Sequence, residues 1–165
     1  MLYGCYDEYT IEYINAIGKK TIVIRILDCE KPPLKNFKNV LTIYVSDLDR
    51  DLGIGNVYNE SHAKKINEFI LNNDFDEILV HCTAGISRSP IVMAYIALIL
   101  DDKKMFNEIL SERHFIPNNL ILQRSMNYSY IIKKDCRKKI LRNNFDKYKD
   151  VKDYDQNTKI LSIKL

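Results

Sequence analysis

The stretch Ile78-Leu79-Val80-His81-Cys82-Thr83-Ala84-Gly85-Ile86-Ser87-Arg88-Ser89-Pro90 contains the features that decide the fold. Its apolar beginning, Ile78 to His81, is typical of a buried β-strand. The apolar stretch from Pro90 to Leu100 predicts a buried helix, with Ser89 as its N-cap and Pro90 as its first helical residue. A strand that passes through a short loop into a helix is a unit of layered α/β domains with parallel sheets.

Strand and helix patterns alternate along the rest of the chain. Two further strands are predicted at 21–26 and 40–45. Helices are predicted at 7–17 with Gly18 as the stop, from Ser61 as N-cap to Leu71, at 103–112 and at 119–139. This order predicts an α/β fold in which a central, mostly parallel sheet of about four to five strands is flanked by helices. We expect one domain over residues 1–140, followed by a basic extension at 141–165.

Composition excludes several classes of protein. The 165 residues are 46% apolar and 28% charged, which is typical of a globular domain rather than a disordered chain. The longest apolar stretch, Pro90–Leu100, is too short to cross a bilayer, because a spanning helix takes about 20 residues. The first residues lack the basic and apolar parts of a secretory signal. We therefore expect a cytoplasmic protein without a membrane span.

Charge and cysteine content limit the classes of partner that the chain could bind. Residues 133–165 hold 11 Lys and Arg against 5 Asp and Glu, and the net charge of the whole chain is +3. A basic end of this kind is typical of a solvated helix. Nucleic acid remains open as a partner, but the segment contains no interleaved aromatic residues and no groove-reading motif that would support nucleic-acid binding. The cysteines at 5, 29, 82 and 136 include no Cys-x-x-Cys pair, so we expect no zinc site and free thiols.

The loop between the strand at 78–81 and the following helix suits a phosphoryl group. Backbone N–H groups that lead into a helix N-terminus bind tetrahedral anions. Gly85 allows a backbone conformation that a Cβ opposes, and Arg88 offers a planar fork to two oxygens. Cys82 lies at the focus of the same positive field, which favours the thiolate over the thiol. The pattern predicts a cysteine nucleophile directed at phosphorus.

The segment from His81 to Ser89 resembles the His-Cys-x5-Arg-Ser/Thr signature of the cysteine-dependent protein tyrosine phosphatases, and its Ser-Arg-Ser-Pro ending resembles their compact dual-specificity branch. The resemblance covers roughly residues 20–135. Ile43 to Asp47 is similar to the strand and acid-bearing turn of that branch, and Arg113 with Pro117-Asn118 is similar to the end of its domain. The Trp-Pro-Asp acid loop of the larger tyrosine-specific enzymes is absent, because the chain has no Trp.

The resemblance implies a two-step reaction that needs no metal and no cofactor. Cys82 attacks the phosphoryl group and forms a cysteinyl-phosphate, while Arg88 holds the oxygens. An aspartic acid protonates the leaving group and then helps to activate water. Ser89 hydrogen-bonds the sulfur, and His81 fixes the loop by hydrogen bonds without touching substrate. The residues implied to bind substrate are Thr83, Ala84, Gly85, Ile86, Ser87 and Arg88.

Three aspartates lie 31 to 35 residues before Cys82, a spacing that the resemblance implies for the general acid. We rank Asp47 first, because it follows the strand at 40–45. Asp49 is second, because it shares the same turn. Asp51 is last.

The substrate is left open by the resemblance. We expect a phosphatase of phosphorylated proteins that acts on phosphotyrosine and, through a shallow pocket, on phosphoserine and phosphothreonine. The alternatives are an RNA 5′-triphosphatase, a phosphoinositide phosphatase and a non-catalytic phospho-binding module. The uncharged residues between Cys82 and Arg88 count against phosphoinositides, because lipid-directed relatives tend to carry lysines there. The presence of both Cys82 and Arg88 counts against a pure binding module. The oligomeric state is also left open.

Overall fold

The computed structural model describes residues 2–14, 20–112, 114–116 and 118–135. Within these ranges four strands form one sheet in the order β1-β4-β2-β3, and every neighbouring pair is parallel. The strands are β1 (Leu2–Tyr6), β2 (Thr21–Leu27), β3 (Asn39–Tyr44) and β4 (Glu77–Cys82). The predicted fold class is confirmed, with four strands in the sheet.

Five helices accompany the sheet in the described residues. They are α1 (Thr10–Tyr13), α2 (Glu60–Asn72), α3 (Arg88–Leu100), α4 (Lys103–Ser111) and α5 (Asn119–Asp135). Helices α2 and α3 pack against the sheet, and α4 and α5 pack against α3. As a result α3 is surrounded by other elements, which is why its sequence is apolar on every side.

The two central strands are buried on both faces. All seven residues of β2 are buried, and alternate positions such as Ile24 and Ile26 belong to the main core with α3. Val23 faces the other way and joins a smaller cluster with Ile11, Leu34 and Phe37. Burial on both faces explains why the strand sequences are continuous apolar runs rather than alternating ones.

The sequence analysis does not predict the first strand, β1. Residues 7–17 are predicted as one helix, but the helix observed there is only α1, and it follows β1. β1 pairs with β4 over its whole length, with Tyr6 opposite His81. Its sequence contains a glycine and no β-branched residue, so the usual strand signal is missing. Residues 15–19, which include the predicted stop Gly18, lie outside the described residues.

Two predicted helix starts are wrong. The N-cap of α2 is Asn59, whose side chain accepts a hydrogen bond from the Ser61 amide at 2.9 Å, so Ser61 is not the cap. Helix α3 begins at Arg88, and Ser87 occupies the N-cap position without a side-chain cap hydrogen bond. Ser89 therefore lies inside the first turn, where its hydroxyl contacts a sulfur instead of capping the helix. Proline is tolerated at position 90 because the first N–H groups of a helix have no intrahelical acceptor.

Several sequence-based predictions concern the end of the chain. The domain boundary after residue 140, the basic extension at 141–165 and Cys136 lie outside the described residues, and so does the predicted end of the last helix at residue 139. Among the helices that are described, none has both the length and the apolar character that a membrane-spanning helix requires.

Candidate functional site

The carboxyl ends of the parallel strands bring the candidate residues to one edge of the sheet. β4 ends at Cys82, Asp28 directly follows β2, and Asp47 lies three residues after the end of β3. Residues 83–87 connect β4 to the N-terminus of α3 at the same edge. In open α/β sheets this edge is where ligands bind.

The sulfur of Cys82 lies inside the loop. The Gly85 amide donates a hydrogen bond to Cys82 Sγ at 3.3 Å, and Ser89 Oγ lies 3.4 Å from the same sulfur. Cys82 is only 1% exposed, so these groups act on the sulfur at low dielectric, where polar interactions are stronger. By contrast, burial, with a smaller contribution from Cys82, raises the pKa of the Cys5 thiol to about 12. Cys5 therefore stays protonated at neutral pH.

Arg88 points inward and is bonded to the ends of two strands. Its Nη1 donates to the carbonyl oxygen of Val45 at 2.8 Å, and its Nη2 donates to Asp28 Oδ2 at 2.9 Å and to Thr83 Oγ1 at 3.0 Å. The side chain is 3% exposed. Within the described residues its Nε has no hydrogen-bond partner, and the nearest carboxylate, Asp47 Oδ2, is 3.6 Å away. This N–H group is itself buried, and its charge is balanced in part by Asp47.

Asp28 is a site residue that the sequence-based interpretation missed. Its carboxylate accepts hydrogen bonds from Arg88 and from the Thr83 hydroxyl. Partial burial acts to raise the pKa of Asp28, but the hydrogen bond and charge of Arg88 and the Thr83 hydroxyl outweigh it, so the pKa lies below its ordinary value. The signal that could have revealed Asp28 is its place directly after a buried strand, at the same edge as Cys82.

Asp47, ranked first among the three candidate acids, lies in the site. Its Oδ1 accepts hydrogen bonds from Ser87 Oγ and from Asn118 Nδ2, both at 2.8 Å. Asn118 also donates to the Leu48 carbonyl at 3.0 Å, so it fixes the turn that carries Asp47. The sequence offered Asn118 only as part of a resemblance, and its contact with Asp47 is a second feature that the sequence did not reveal. Oδ1 is thus occupied, and Oδ2 faces Arg88.

The other two candidate acids lie elsewhere. Asp51 accepts a hydrogen bond from the Gly53 amide at 3.0 Å and lies 3.6 Å from Arg124. Asp49 is exposed. The structure therefore brings only Asp47 of the three to Arg88 within the described residues. Among the described residues, no group of three or more His, Cys, Asp or Glu side chains could hold a metal ion.

The loop residues predicted to bind substrate divide into two groups. The hydroxyls of Thr83 and Ser87 are bonded to the carboxylates of Asp28 and Asp47. Ala84 and Ile86 have exposed side chains, while Gly85 is buried. Both hydroxyls are therefore held by carboxylates at the same edge of the sheet.

His81 is linked to the sheet. The Nε2 atom of His81 accepts a hydrogen bond from Arg25 Nε, in β2, at 3.3 Å. The sequence analysis instead expects His81 to bond to the loop at residues 83–87. Burial and then the charge of Arg25 lower the pKa of His81 to about 4. The imidazole is neutral at pH 7 and serves as an acceptor at Nε2.

Known structures resemble this one, although no protein-family model and no curated protein matches the chain. The crystal structure of DUSP15 is 22% identical, with a TM-score of 0.51, and the match covers 78% of this chain and 79% of that one. PTPMT1 in complex with PI(5)P is 18% identical, with a TM-score of 0.50, over 70% of this chain and 80% of that one. The human tyrosine phosphatase-like serine/threonine/tyrosine-interacting protein is 23% identical, with a TM-score of 0.48, over 69% and 79%.

The chain shares its fold with DUSP15 and with PTPMT1. In this dual-specificity phosphatase fold the signature from His81 to Ser89 occupies the end of a central strand and the first turn of the buried helix. Identities of 18% and 22% establish likeness of fold alone. Any inference about the reaction must therefore come from the side chains around Cys82.

Replacement of Gly85 by alanine tests how closely the loop packs on the first strand. Gly85 has φ +74°, and a Cβ there would lie 2.8 Å from the Asp7 nitrogen and 2.9 Å from the Tyr6 carbonyl carbon. Gly53 has a similar φ of +70° but open space around it, which makes Gly53→Ala the matched control. We expect Gly53→Ala to cost about 1 kcal/mol of unfolding free energy and Gly85→Ala at least twice that. Urea denaturation measures both, and equal losses would contradict the packing described.

Proposed function

We propose that the chain is a metal-independent phosphatase that hydrolyses phosphate monoesters on proteins through a cysteinyl-phosphate intermediate. Phosphotyrosine is a substrate, and phosphoserine and phosphothreonine are also accepted. The observation that carries the proposal is the convergence on one sulfur: the Gly85 amide and the Ser89 hydroxyl contact Cys82 Sγ. Arg88 extends from the same loop with an unused N–H. The fold, which is that of phosphatases, supports this assignment.

In the first step the thiolate of Cys82 attacks phosphorus and the bond to the leaving oxygen breaks. Negative charge is spread over the three equatorial oxygens in the transition state. The Nε–H of Arg88 and the N–H groups of the loop are placed to donate to these oxygens, and donors fixed before the reaction lower its barrier. Nη2 of Arg88 reaches a second oxygen by releasing its bonds to Asp28 and Thr83.

Asp47 transfers the protons. Because Oδ1 is held by Ser87 and Asn118, Oδ2 is the oxygen that carries the proton to the leaving group. In the second step the same oxygen accepts a proton from a water molecule, and this water attacks phosphorus. The bond between Cys82 Sγ and phosphorus breaks, and the sulfur leaves as a thiolate that accepts a hydrogen bond from the Ser89 hydroxyl.

The surroundings of the loop favour a protein substrate. Ile86 and Ile116 are 38% and 66% exposed, and the Ile116 amide donates to the Ile86 carbonyl at 2.7 Å, so they form an apolar rim beside the loop. Such a rim suits the ring of a phosphotyrosine and its apolar neighbours. Between Cys82 and Arg88 the loop has no charged side chain. It therefore offers no cation for the second phosphate of a phosphoinositide.

Activity toward an aryl phosphate tests the proposal. The wild-type chain should hydrolyse p-nitrophenyl phosphate with a chelator present, and Cys82→Ser should remove turnover, because a serine hydroxyl is a far weaker nucleophile. Cys5→Ser and Cys29→Ser are matched controls that should keep it. Turnover that survives in Cys82→Ser, or a folded wild type that binds phosphopeptides without hydrolysing them, would contradict the proposal. Phosphopeptides, phosphoinositide vesicles and triphosphate-ended RNA, compared in one assay, decide the substrate class.

The leaving-group dependence of Asp47→Asn tests the proton donor. A poor leaving group such as the serine of a phosphopeptide needs protonation, and a general acid contributes about 10²–10⁴-fold in such a step. We expect a loss of about 10²-fold with phosphoserine peptides and a far smaller loss with p-nitrophenyl phosphate. Asp49→Asn and Asp51→Asn serve as controls and should change neither rate. Equal losses on both substrates, or a leaving-group effect in Asp49→Asn, would assign the role elsewhere.

A further inference from the structure

A guanidinium that has no ion-pair partner among the described residues lies on the face of the sheet that carries the smaller core cluster. Arg25 is in the central strand β2, two residues after Val23 of that cluster, and is 6% exposed. Its Nε donates to His81 Nε2. Within the described residues Arg25 makes no ion pair and no other hydrogen bond, and its two terminal nitrogens are not among the fully buried atoms that lack a partner, so they reach solvent.

The lack of a close anion makes this position unusual. An arginine side chain stays protonated in proteins, so burial does not remove its charge. A charged side chain that is mostly buried is normally paired with an opposite charge. Burial lowers the pKa of Arg25, while Tyr44, Glu12 and Glu8 act in the opposite direction without forming an ion pair with it. The position is therefore suited to an anion that comes from outside the chain.

A cavity of about 270 Å³ opens beside Arg25. It is lined by Glu8, Tyr9, Glu12, Arg25, Leu27, Lys31, Pro32, Leu34 and His81. A water molecule takes up about 30 Å³ of liquid, so the cavity has room for a small organic molecule. The lining contains neither Cys82 nor Arg88, although it includes His81, which directly precedes Cys82.

We propose that this cavity is a binding site for a small monocarboxylate whose two oxygens accept hydrogen bonds from the terminal nitrogens of Arg25. The planar fork of a guanidinium matches a carboxylate in this bidentate way. Leu27, Pro32 and Leu34 provide apolar contacts for the body of the ligand.

The charges of the lining favour one negative charge over two. Lys31 Nζ lies 3.5 Å from Glu8 Oε2, so these two groups largely offset each other. His81 is neutral at pH 7, which leaves Arg25 as the buried cation and Glu12 as an exposed acid of the rim. A dianion such as sulfate or phosphate would place its second charge near Glu8 and Glu12. A monocarboxylate brings one negative charge rather than two to this lining, so it meets less of that repulsion.

The thermal midpoint of the full chain measures this binding. Benzoate is the probe and sulfate at equal ionic strength is the dianion control; orthovanadate is present throughout to occupy the phosphatase loop. We expect benzoate, at tenfold excess over its dissociation constant, to raise the midpoint of the wild type by about 3 °C. Arg25→Gln should show no rise. Lys65→Gln, which removes the same charge from the exposed face of α2, should respond as the wild type does.

Other results of the same experiment would overturn the proposal. An equal rise in the wild type and in Arg25→Gln, or no rise in either, would overturn the proposal, and a larger rise with sulfate would overturn its choice of a monocarboxylate. If Arg25→Gln fails to fold, NMR of the wild type decides: benzoate must shift the side-chain Nε–H signal of Arg25 more than that of any other arginine. The result does not depend on catalysis, because a chain without phosphatase activity still gives a binding readout at Arg25.

Discussion

The site depends on the hydrogen bonds that Arg88 makes with the ends of two strands and with the loop. It bonds to the Val45 carbonyl after β3, to Asp28 after β2 and to Thr83 after β4. The guanidinium is nearly buried, whereas the Asp28 side chain is half exposed. These bonds hold the guanidinium and the loop together in the absence of a substrate.

The same bonds create a competition between a protein carboxylate and a phosphoryl group. Nη2 of Arg88 is bonded to Asp28, whereas its Nε has no hydrogen-bond partner in the described residues. In the proposed reaction the first oxygen of a substrate must reach the buried Nε–H, and the second must displace a carboxylate. Asp28 therefore has two opposite effects, because it holds Arg88 in place and repels a dianion. Asp47 is kept near the same guanidinium by Ser87 and Asn118, where a proton can pass to a leaving group.

The sequence predicted what local patterns determine. The continuous apolar strand β4, the loop with Gly85 and the apolar helix α3 each carry their signal in neighbouring residues, and the α/β fold follows from their order. β1 was missed because its stability comes from pairing with β4, some 75 residues away in its register. Asp28 and Asn118 were missed for the same reason, since their partners are 60 and 71 residues distant. Helix signals alone predict Ser89 as a cap, because they carry no information about its contact with the Cys82 sulfur. The resemblance implies that contact.

A crystal structure of the chain with tungstate, an analogue of the phosphoryl group, tests the central assignment most directly. The account predicts a tungstate ion above Cys82 Sγ, with oxygens accepting from the backbone N–H groups of residues 83–88 and from Nε and Nη2 of Arg88. Nη2 should then have left Asp28. A loop without tungstate at saturating concentration, with Arg88 still bonded to Val45, Asp28 and Thr83, would contradict it.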